Sequence, residues 1–292
     1  MMLHELTDAS RNYSFAASHE PALTIAPGDA VRFHTRDCFD GQVPMEPNPD
    51  NLTRHDRARG NPATGPVFIR GAEPGHALVS TIQSIDLAPQ GLLGASNRDG
   101  ADRWMAVVDI RDGMAHVDGW TLPIRPIVGV MGVAPEVAEI PNTTPGPHGG
   151  NLDSPDLGIG SRLYLPVFHQ GALFACGDVH ALQGDGEVCG QGIEIAARVT
   201  VAFELLPRPI CPWPVVETST HYDIIACGAD LDEAAEHALL AARDFLIRYG
   251  GATDQQAIAL MSIVGDLRIC QIVNPLLAVR ACIPRELVTR EL

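Results

Sequence analysis

Glycine and proline divide the first 225 residues of this chain into short apolar and β-branched runs. The 292-residue sequence contains 28 Gly and 23 Pro, more than average usage predicts. Because both residues favour turns, this dense punctuation favours short strands over long helices. Val31, Phe33 and Thr35 alternate with polar residues, as in a strand with one buried face. The sequence therefore predicts a mostly β fold.

Two similar units in this region predict hairpins. A strand at residues 23–25 precedes the turn at 27–29 and the strand at 31–35. A strand at 67–69 likewise precedes the turn at 73–75 and an apolar run to Ile85. Two such hairpins indicate a β-barrel or β-sandwich body. Long loops are predicted at 87–103 and 141–161, and further strands at 104–110, 127–133, 163–168, 173–176 and 193–205.

Helical periodicity begins after Ala229. Apolar residues recur at three- and four-residue steps to Tyr249, acidic residues open the segment, and two glycines follow it. Thr253 and Gln256 have the spacing of a capping box, which predicts a second helix to about residue 264. A strand is then predicted at 267–273.

These patterns predict an α+β, mostly β fold with a β-barrel or sandwich body at 1–225 and a smaller C-terminal α/β part at 226–292. The net charge of −16 argues against binding nucleic acid or an anionic membrane. No apolar run approaches the length of a membrane span. The N-terminus lacks a signal-peptide pattern, and the seven cysteines are scattered without a CxxC pair. We therefore expect a cytoplasmic protein with free thiols.

The chain contains no lysine, because its 20 arginines account for the whole Lys+Arg total. A Walker phosphate loop and a pyridoxal Schiff base both require lysine. Amidases that use a Glu-Lys-Cys or Ser-Ser-Lys constellation are excluded for the same reason. An amidase with this sequence must activate its nucleophile in another way.

Candidate metal ligands are densest in residues 176–190 (CGDVHALQGDGEVCG). Asp178 and His180 are two residues apart, so in an extended chain both point to the same side. Asp185 and Glu187 repeat this spacing. Carboxylates and imidazole are the usual ligands of zinc and related divalent ions.

The predicted loop at 141–161 adds two more candidate groups. His148 and Asp153 lie in it, and Gly149 and Gly150 allow backbone to pass close to a bound group. From spacing alone, the candidates of both segments could equally be hydrogen-bonded structural groups.

A thiol mechanism is the competing functional interpretation. It would use Cys176 or Cys189 as the nucleophile and His180 as the base. An isolated cysteine is more often a small buried apolar residue.

Five segments resemble the acetamidase/formamidase family in that family's order, and together they extend over most of residues 21–285. They are residues 27–42 (PGDAVRFHTRDCFDGQ), 126–135 (PIVGVMGVAP), 147–153 (PHGGNLD), 176–190 and 266–275 (DLRICQIVNP). The resemblance implies hydrolysis of short aliphatic amides to carboxylate and ammonia. It also implies a β-rich body with a small α/β part, a homo-oligomer (dimer or higher), and a bound divalent metal such as zinc or calcium.

The resemblance implies a set of site residues by position. They are His148, Asn151, Asp153, Asp178, His180 and Glu187, with Asp40 and Gln42 from the DGQ turn. Segment 43–65 has no counterpart in the resemblance and could change the pocket or the substrate range.

Without lysine or a GxSxG motif, metal-activated water is the expected nucleophile. We predict that Asp153, Asp178 and His180 hold the metal, with zinc expected before calcium. The catalytic roles are predicted for Glu187, as proton carrier, and for His148, as oxyanion donor, with the Gly149 and Gly150 N–H groups as the alternative donors. The predicted substrate-binding residues are Asp40, Gln42, Gly149, Gly150 and Asn151.

Two other functions remain open at this point. One is a non-catalytic β-barrel that binds a metal or a small molecule. The other is a hydrolase of a larger or cyclic C–N substrate.

Overall fold

The structure is a computed structural model that describes residues 2–96, 102–137 and 139–292. The strands, in chain order, are β1 (Leu3–Leu6), β2 (Arg11–Asn12), β3 (Ser14–Ala16), β4 (Leu23–Ile25), β5 (Ala30–Thr35), β6 (Ala63–Ile69), β7 (Ala77–Leu87), β8 (Gln90–Ser96), β9 (Arg103–Arg111), β10 (Met114–Val117), β11 (Trp120–Pro123), β12 (Ile127–Gly132), β13 (Glu139–Pro141), β14 (Gly149–Asn151), β15 (Arg162–Pro166), β16 (Phe174–His180), β17 (Glu194–Ile195), β18 (Ala197–Leu206), β19 (Val215–Glu217), β20 (His221–Gly228), β21 (Asp266–Gln271) and β22 (Leu277–Pro284). The helices are α1 (Leu231–Phe245), continued by a π-helical turn (Leu246–Gly250), and α2 (Asp254–Ile263), with short 3-10 turns at Asp8–Ser10, Pro49–Thr53, Arg57–Arg59 and Arg285–Leu287.

Two large sheets form most of the molecule, which confirms the predicted mostly β, α+β class. One sheet has nine strands in the order β1-β5-β18-β7-β15-β19-β20-β22-β21. The other contains the path β11-β10-β9-β8-β17-β16-β12-β14, and β6 joins β2 and β4 to it through β16. A short pair, β3 with β13, stands apart from both sheets.

The main hydrophobic core contains side chains from both sheets, as in a sandwich. Phe33 and Phe203 of the nine-stranded sheet meet Phe174 of the other, with ring centroids 5.8 and 5.0 Å from that of Phe174. All three rings are fully buried, and each buried side chain of this size contributes about 2 kcal/mol. This packing fixes β16, the strand on which the densest ligand motif begins.

The two predicted hairpins are wrong, although their strands exist. β4 pairs in parallel with β6, whereas β5 pairs with β1 and β18. β6 likewise pairs with β16, and β7 with β18 and β15. Each turn therefore passes from one sheet to the other. The alternating pattern showed which face is buried, but it carried no information about the pairing partner.

The predicted loop at 87–103 is also wrong in part, because residues 90–96 form β8, paired with β9. Gly91 lies within β8 and not in a turn. A Cβ there would lie 2.7 Å from the Glu194 carbonyl oxygen, so this glycine permits the close approach of two strands. Residues 97–101 of that predicted loop lie outside the described residues. The other predicted strands correspond to β9, β12, β15, β16 and β17–β18.

The C-terminal helices and strand follow the prediction closely. Asp230 caps α1, and Thr253 forms the predicted capping box with Gln256 at the start of α2. The predicted boundary between residues 225 and 226 falls inside β20, and β20, β22 and β21 extend the nine-stranded sheet. The two predicted parts therefore share one sheet, while α1 covers it with a core of its own. Among the described residues, no helix is both long and apolar enough to cross a membrane.

Candidate functional site

Four carboxylates and one imidazole lie close together near the end of β16. We call Asp153, Asp178, Glu187 and Glu194 the carboxylate cluster, and His180 is the imidazole. All five side chains are buried, at 1 to 7% exposure. Within the described residues, no arginine lies within 4.0 Å of these carboxylates. Such a concentration of buried acidic groups requires protons or cations for compensation.

Three of the carboxylates share one pattern of hydrogen bonding. Asn61 donates to Asp178 Oδ2 at 2.7 Å, and the N–H of Gly192 donates to Glu194 Oε1 at 3.0 Å. Asn274 donates to Asp153 Oδ2 at 2.8 Å. The second oxygen of each group is buried and has no hydrogen-bond partner in the described part of the chain. One oxygen is thus held in place and the other is left for a ligand.

His180 presents one ring nitrogen to the cluster, and Gln183 fixes the other. Its Nδ1 lies 2.7 Å from Gln183 Oε1, and Gln183 in turn donates to the backbone carbonyl of Asp153 at 2.7 Å. Its Nε2 lies 3.4 Å from Asp178 Oδ1 and 3.2 Å from Glu194 Oε2. A ring that donates from Nδ1 directs the lone pair of Nε2 at the two oxygens. This arrangement repels unless a proton or a cation lies between them.

Backbone strain also concentrates here. Asp153, Asp178 and Glu187 have φ angles of 44°, 55° and 44°, in the left-handed region that is uncommon for residues other than glycine. Gly129 of β12 makes room for two of them, because a Cβ there would lie 2.5 Å from Asp153 Oδ1. Strain of this kind costs about 1–3 kcal/mol per residue and clusters at functional sites.

The electrostatics follow from burial without compensating charge. Burial and the charge of Asp178 raise the pKa of Asp153 to about 7. Burial raises the pKa of Glu194 to about 7 although His180 opposes the shift, and burial with Asp153 raises the pKa of Glu187 to about 10. Burial alone would lower the pKa of His180, but Glu194 and Asp178 raise it well above its usual value. A cation binding here would compete with these protons.

Loop contacts to the C-terminal part of the chain position Glu187. Gly186 bridges to Gln271 at the end of β21, and Asp185 accepts from Arg280 at 2.8 Å. Asp185 therefore faces outward, although it has the same spacing from Glu187 as Asp178 has from His180. Glu187 turns inward, and its carboxylate lies with Asp153 and His180 in a group whose ligand atoms are all within 4.8 Å of one another.

Sequence reasoning missed one member of the carboxylate cluster, Glu194, and three of its neighbours, Cys38, Asn61 and Asn274. Glu194 is the antiparallel neighbour of His180 in the β16–β17 register. Cys38 forms a second group of ligand atoms within 4.8 Å, together with Asp178 and Glu194. Cys38 and Asn274 fall inside the segments that carried the family resemblance, which was the one available signal for them. Glu194 and Asn61 lie outside those segments.

His148 occupies a different environment from the cluster. Its ring packs edge-on against Phe15 at 5.3 Å and borders a small, mostly apolar cavity of about 130 Å³ beside Val137, Ile140 and Phe168. Both ring nitrogens lack a hydrogen-bond partner within the described residues. Burial lowers the pKa of His148 to about 4, so the ring is neutral at physiological pH.

Gly149 and Gly150, next to His148, lie in close contact with the backbone of neighbouring segments. A Cβ on Gly149 would lie 2.1 Å from the Met131 carbonyl oxygen, and the Gly149 N–H already donates to the Gly146 carbonyl. Gly150 is similarly close to the backbone of Thr144. These glycines let β14 pack on its neighbours, and their predicted contact with a bound group stays a prediction. Asn151, the last residue of β14, is buried and its Oδ1 has no hydrogen-bond partner among the described residues.

Asp40 and Gln42, the two predicted substrate-binding residues of the DGQ turn, are engaged in contacts within the protein. Asp40 Oδ1 lies 2.8 Å from Arg11 Nε, and Asp40 Oδ2 accepts from Tyr13 at 2.8 Å and from Arg59. Gln42 exchanges hydrogen bonds with the backbone of Asp56. These contacts anchor segment 43–65, and the predicted substrate contacts of Asp40 and Gln42 stay a prediction.

An open cavity of about 430 Å³ lies against the cluster on the side of segment 43–65. Its lining includes Cys38 and Asn61, the second of which hydrogen-bonds to Asp178. Segment 43–65 contributes Leu52, His55 and Arg57 to its walls. Cys38 and Asn61 lie between this cavity and the cluster, and segment 43–65 shapes the cavity.

The two cysteines of the competing thiol mechanism are poorly placed. Cys176 is completely buried, and burial raises the pKa of its thiol far above the usual value, which disfavours the nucleophilic thiolate. Cys189 is exposed and its Sγ contacts the carbonyls of Gly94 and Gln191. All seven cysteines are free thiols.

The donor set fits a divalent cation. Unpaired oxygens of Asp153, Asp178 and Glu194 and the Nε2 of His180 are nitrogen and oxygen ligands of the kind that zinc prefers. Partners that hold the opposite atom of each ligand, as Asn61 and Gln183 do, are typical of metal sites in proteins.

Comparison with known proteins places this geometry in context. Residues 17–144 and 136–290 match the model of the Acetamidase/Formamidase family. The chain is 36% identical to an acetamidase of known structure from Bacillus halodurans, with a TM-score of 0.93 over 97% of each chain. It is 31% identical to an acetamidase structure from Yersinia enterocolitica, with a TM-score of 0.92 over 99% of this chain and 93% of that chain.

A curated acetamidase from Mycolicibacterium smegmatis is 24% identical over 257 residues, which cover 63% of this chain and 63% of that protein. The chain spans less than two thirds of the length of the curated relatives that it matches.

Proposed function

Because the chain belongs to the acetamidase/formamidase family, we propose that it hydrolyses small aliphatic amides such as formamide and acetamide to a carboxylate and ammonia. The supporting observation is the carboxylate cluster: three buried carboxylates each have one oxygen held by a neighbour and one without a partner. A structural cluster would have satisfied these oxygens.

Asp153, Asp178 and His180 would hold a divalent cation. The imidazole donor favours zinc over calcium, which prefers oxygen ligands alone. When bound, such a cation polarises an amide carbonyl and lowers the pKa of water from about 16 to about 7. Asn61, Gln183 and Asn274 keep the ligand atoms oriented.

Glu187 is the proposed proton carrier. Its carboxyl group lies within 4.8 Å of ligand atoms of Asp153 and His180, so it reaches the space where a water and an amide would meet. A positive charge in that space lowers the pKa of Glu187 from about 10 and allows the group to accept a proton. It then returns the proton to the departing nitrogen.

The predicted oxyanion role of His148 stays a prediction. A neutral imidazole donates one hydrogen bond, but this ring faces the small apolar cavity, and the Gly149 N–H is already used. Asn151 has a buried, unpartnered side-chain oxygen and remains a proposed substrate contact. A cytoplasmic location and a homo-oligomer are proposed as well, the first supported by seven free thiols in the chain.

A second candidate is a larger or cyclic C–N substrate. The cavity of about 430 Å³ beside the cluster exceeds the volume that formamide or acetamide needs, which favours this candidate. A metal- or small-molecule-binding protein without catalysis remains a third.

A product screen separates the three candidates. Purified protein is incubated with formamide, acetamide, longer linear amides and cyclic amides, with and without a chelator. Ammonia is measured for the linear amides, and the ring-opened amino acid is measured for the cyclic amides, because their hydrolysis releases no ammonia. Highest turnover of formamide or acetamide supports the proposal, and preference for the longer or cyclic amides supports the second candidate. No product from any of them, with bound metal present, would leave the binding protein.

A further inference from the structure

The charge of the carboxylate cluster exceeds what one divalent cation neutralises. Four buried carboxylates carry up to four negative charges, and a His180 that binds a cation through Nε2 is neutral and balances none of them. One divalent cation would leave two charges without compensation in a buried site. Such charges are strongly disfavoured.

A second set of ligand atoms is present beside the first. The Cys38 thiol and carboxylate oxygens of Asp178 and Glu194 lie within 4.8 Å of one another. Asp178 Oδ1 and Glu194 Oε2 are buried and have no hydrogen-bond partner among the described residues. Cys38 and Asn61 also line the open cavity, so this set is reached from solvent.

We propose that Cys38, Asp178 and Glu194 bind a second divalent cation, so that the protein carries a two-metal centre with Asp178 shared between the two ions. A thiolate and two carboxylates suit zinc or cobalt and disfavour calcium and magnesium. Two divalent cations offset four of the five negative charges that the four carboxylates and the Cys38 thiolate carry together. The Cys38 proton leaves to solvent when the ion binds, because the thiolate is the ligand.

This inference rests on the proposed metal-dependent site, but its test does not use amide hydrolysis. Protein stripped with a chelator is titrated with Co²⁺, and bound metal is counted after dialysis. We expect about two equivalents per chain and a near-ultraviolet thiolate-to-cobalt charge-transfer band.

Two variants assign the second ion. Cys38→Ser is expected to lose the band, and Cys38→Ser and Glu194→Gln each to bind about one equivalent. Cys189→Ser is the matched control, because Cys189 lines the same cavity but lies outside both sets of ligand atoms, and it should keep the band and both ions.

Binding of one equivalent or fewer by the wild-type protein would overturn the inference, and so would a band that persists in Cys38→Ser. If Cys38→Ser does not fold, the test relies on the charge-transfer band of the wild-type protein and on the number of metal ions that Glu194→Gln binds. If the wild-type protein binds one ion and hydrolyses amides, the second site is refuted and the proposed function stands. If it binds two ions and hydrolyses no amide, the second site stands and the proposed function is refuted.

Discussion

Asp40 and Asp153 are both buried aspartates in the left-handed backbone region, yet their surroundings are opposite. Although burial opposes it, hydrogen bonds from Tyr13 and Arg59 and the charge of Arg11 hold the pKa of Asp40 below its usual value. Among the described residues no arginine lies within 4.0 Å of Asp153, and burial with Asp178 raises its pKa to about 7 although His180 opposes the shift. Asp40 is thus a structural carboxylate that pairs with arginines, whereas the carboxylate of Asp153 is available to a ligand.

The largest expected effect concerns the predicted metal ligands. Asp178→Asn and His180→Ala should each lose the bound divalent cation, since each removes a predicted ligand. Loss of its Lewis-acid contribution, worth several kcal/mol, should lower kcat for amide hydrolysis by about 10³-fold or more. Metal analysis and ammonia release on the same preparation check this.

Asp185→Asn serves as the control, because Asp185 lies in the same segment but faces outward and pairs with Arg280. It should keep its metal. Full occupancy in both Asp178→Asn and His180→Ala would show that the ligands are assigned incorrectly.

The next effect is expected at Glu187. Glu187→Gln preserves the shape of the side chain but cannot accept a proton, so kcat should fall by about 10²–10⁴-fold. Metal content and the thermal midpoint should stay near wild type. Loss of metal with activity would make Glu187 a ligand, and a large fall in stability with unchanged kcat would make it structural.

His148 provides a test on stability rather than rate. In the unfolded chain the imidazole of His148 is protonated below about pH 6.5, whereas in the folded protein it is protonated only below about pH 4. Stability should therefore fall as the pH drops through this window, by about 3 kcal/mol for this one group. His148→Phe removes the titration, so urea unfolding at pH 7 and pH 4 should differ less in the variant. An equal pH dependence in both proteins would contradict the burial of a neutral imidazole.

The smallest expected effect tests the opening comparison directly. Asp40→Asn leaves Arg11 and Arg59 without their partner and should cost about 2–3 kcal/mol, less than a fully buried pair because the arginines are partly exposed. Asp153→Asn, measured with a chelator, removes a buried charge that no cation balances and should change stability by less than about 1 kcal/mol or raise it. Denaturant unfolding of the two variants gives both values. Equal losses would show that the two aspartates have the same role.

Local sequence patterns predicted part of this site. Asp178 and His180 lie two residues apart, and the structure brings their side chains together as predicted, although Asp178 is in the left-handed region rather than extended. Asp153 and Glu187 came from the same two polar segments and also lie in the cluster. The capping box at Thr253 and the helix to Tyr249 depend on contacts within a few residues, which explains why they could be predicted.

The remaining residues depend on pairings that no local pattern contains. Glu194 reaches His180 through the register of β16 with β17, and Asn274 reaches Asp153 from the far end of the chain. The same limitation produced the two wrong hairpins, because alternation indicates a buried face without naming the partner strand. Asp40 belongs to a motif that predicted substrate binding, but its carboxylate pairs with Arg11 and Arg59. Because these arginines lie in other segments, the pairing could not be predicted from the local sequence.

The central claim is that the carboxylate cluster holds a divalent cation needed to hydrolyse small amides. The most direct measurement is ammonia release from formamide and acetamide by protein as purified, after chelation, and after zinc is added back, with metal content determined at each stage. We predict release that disappears with the metal and returns with zinc. Undiminished release from protein shown to contain no divalent metal would contradict the account.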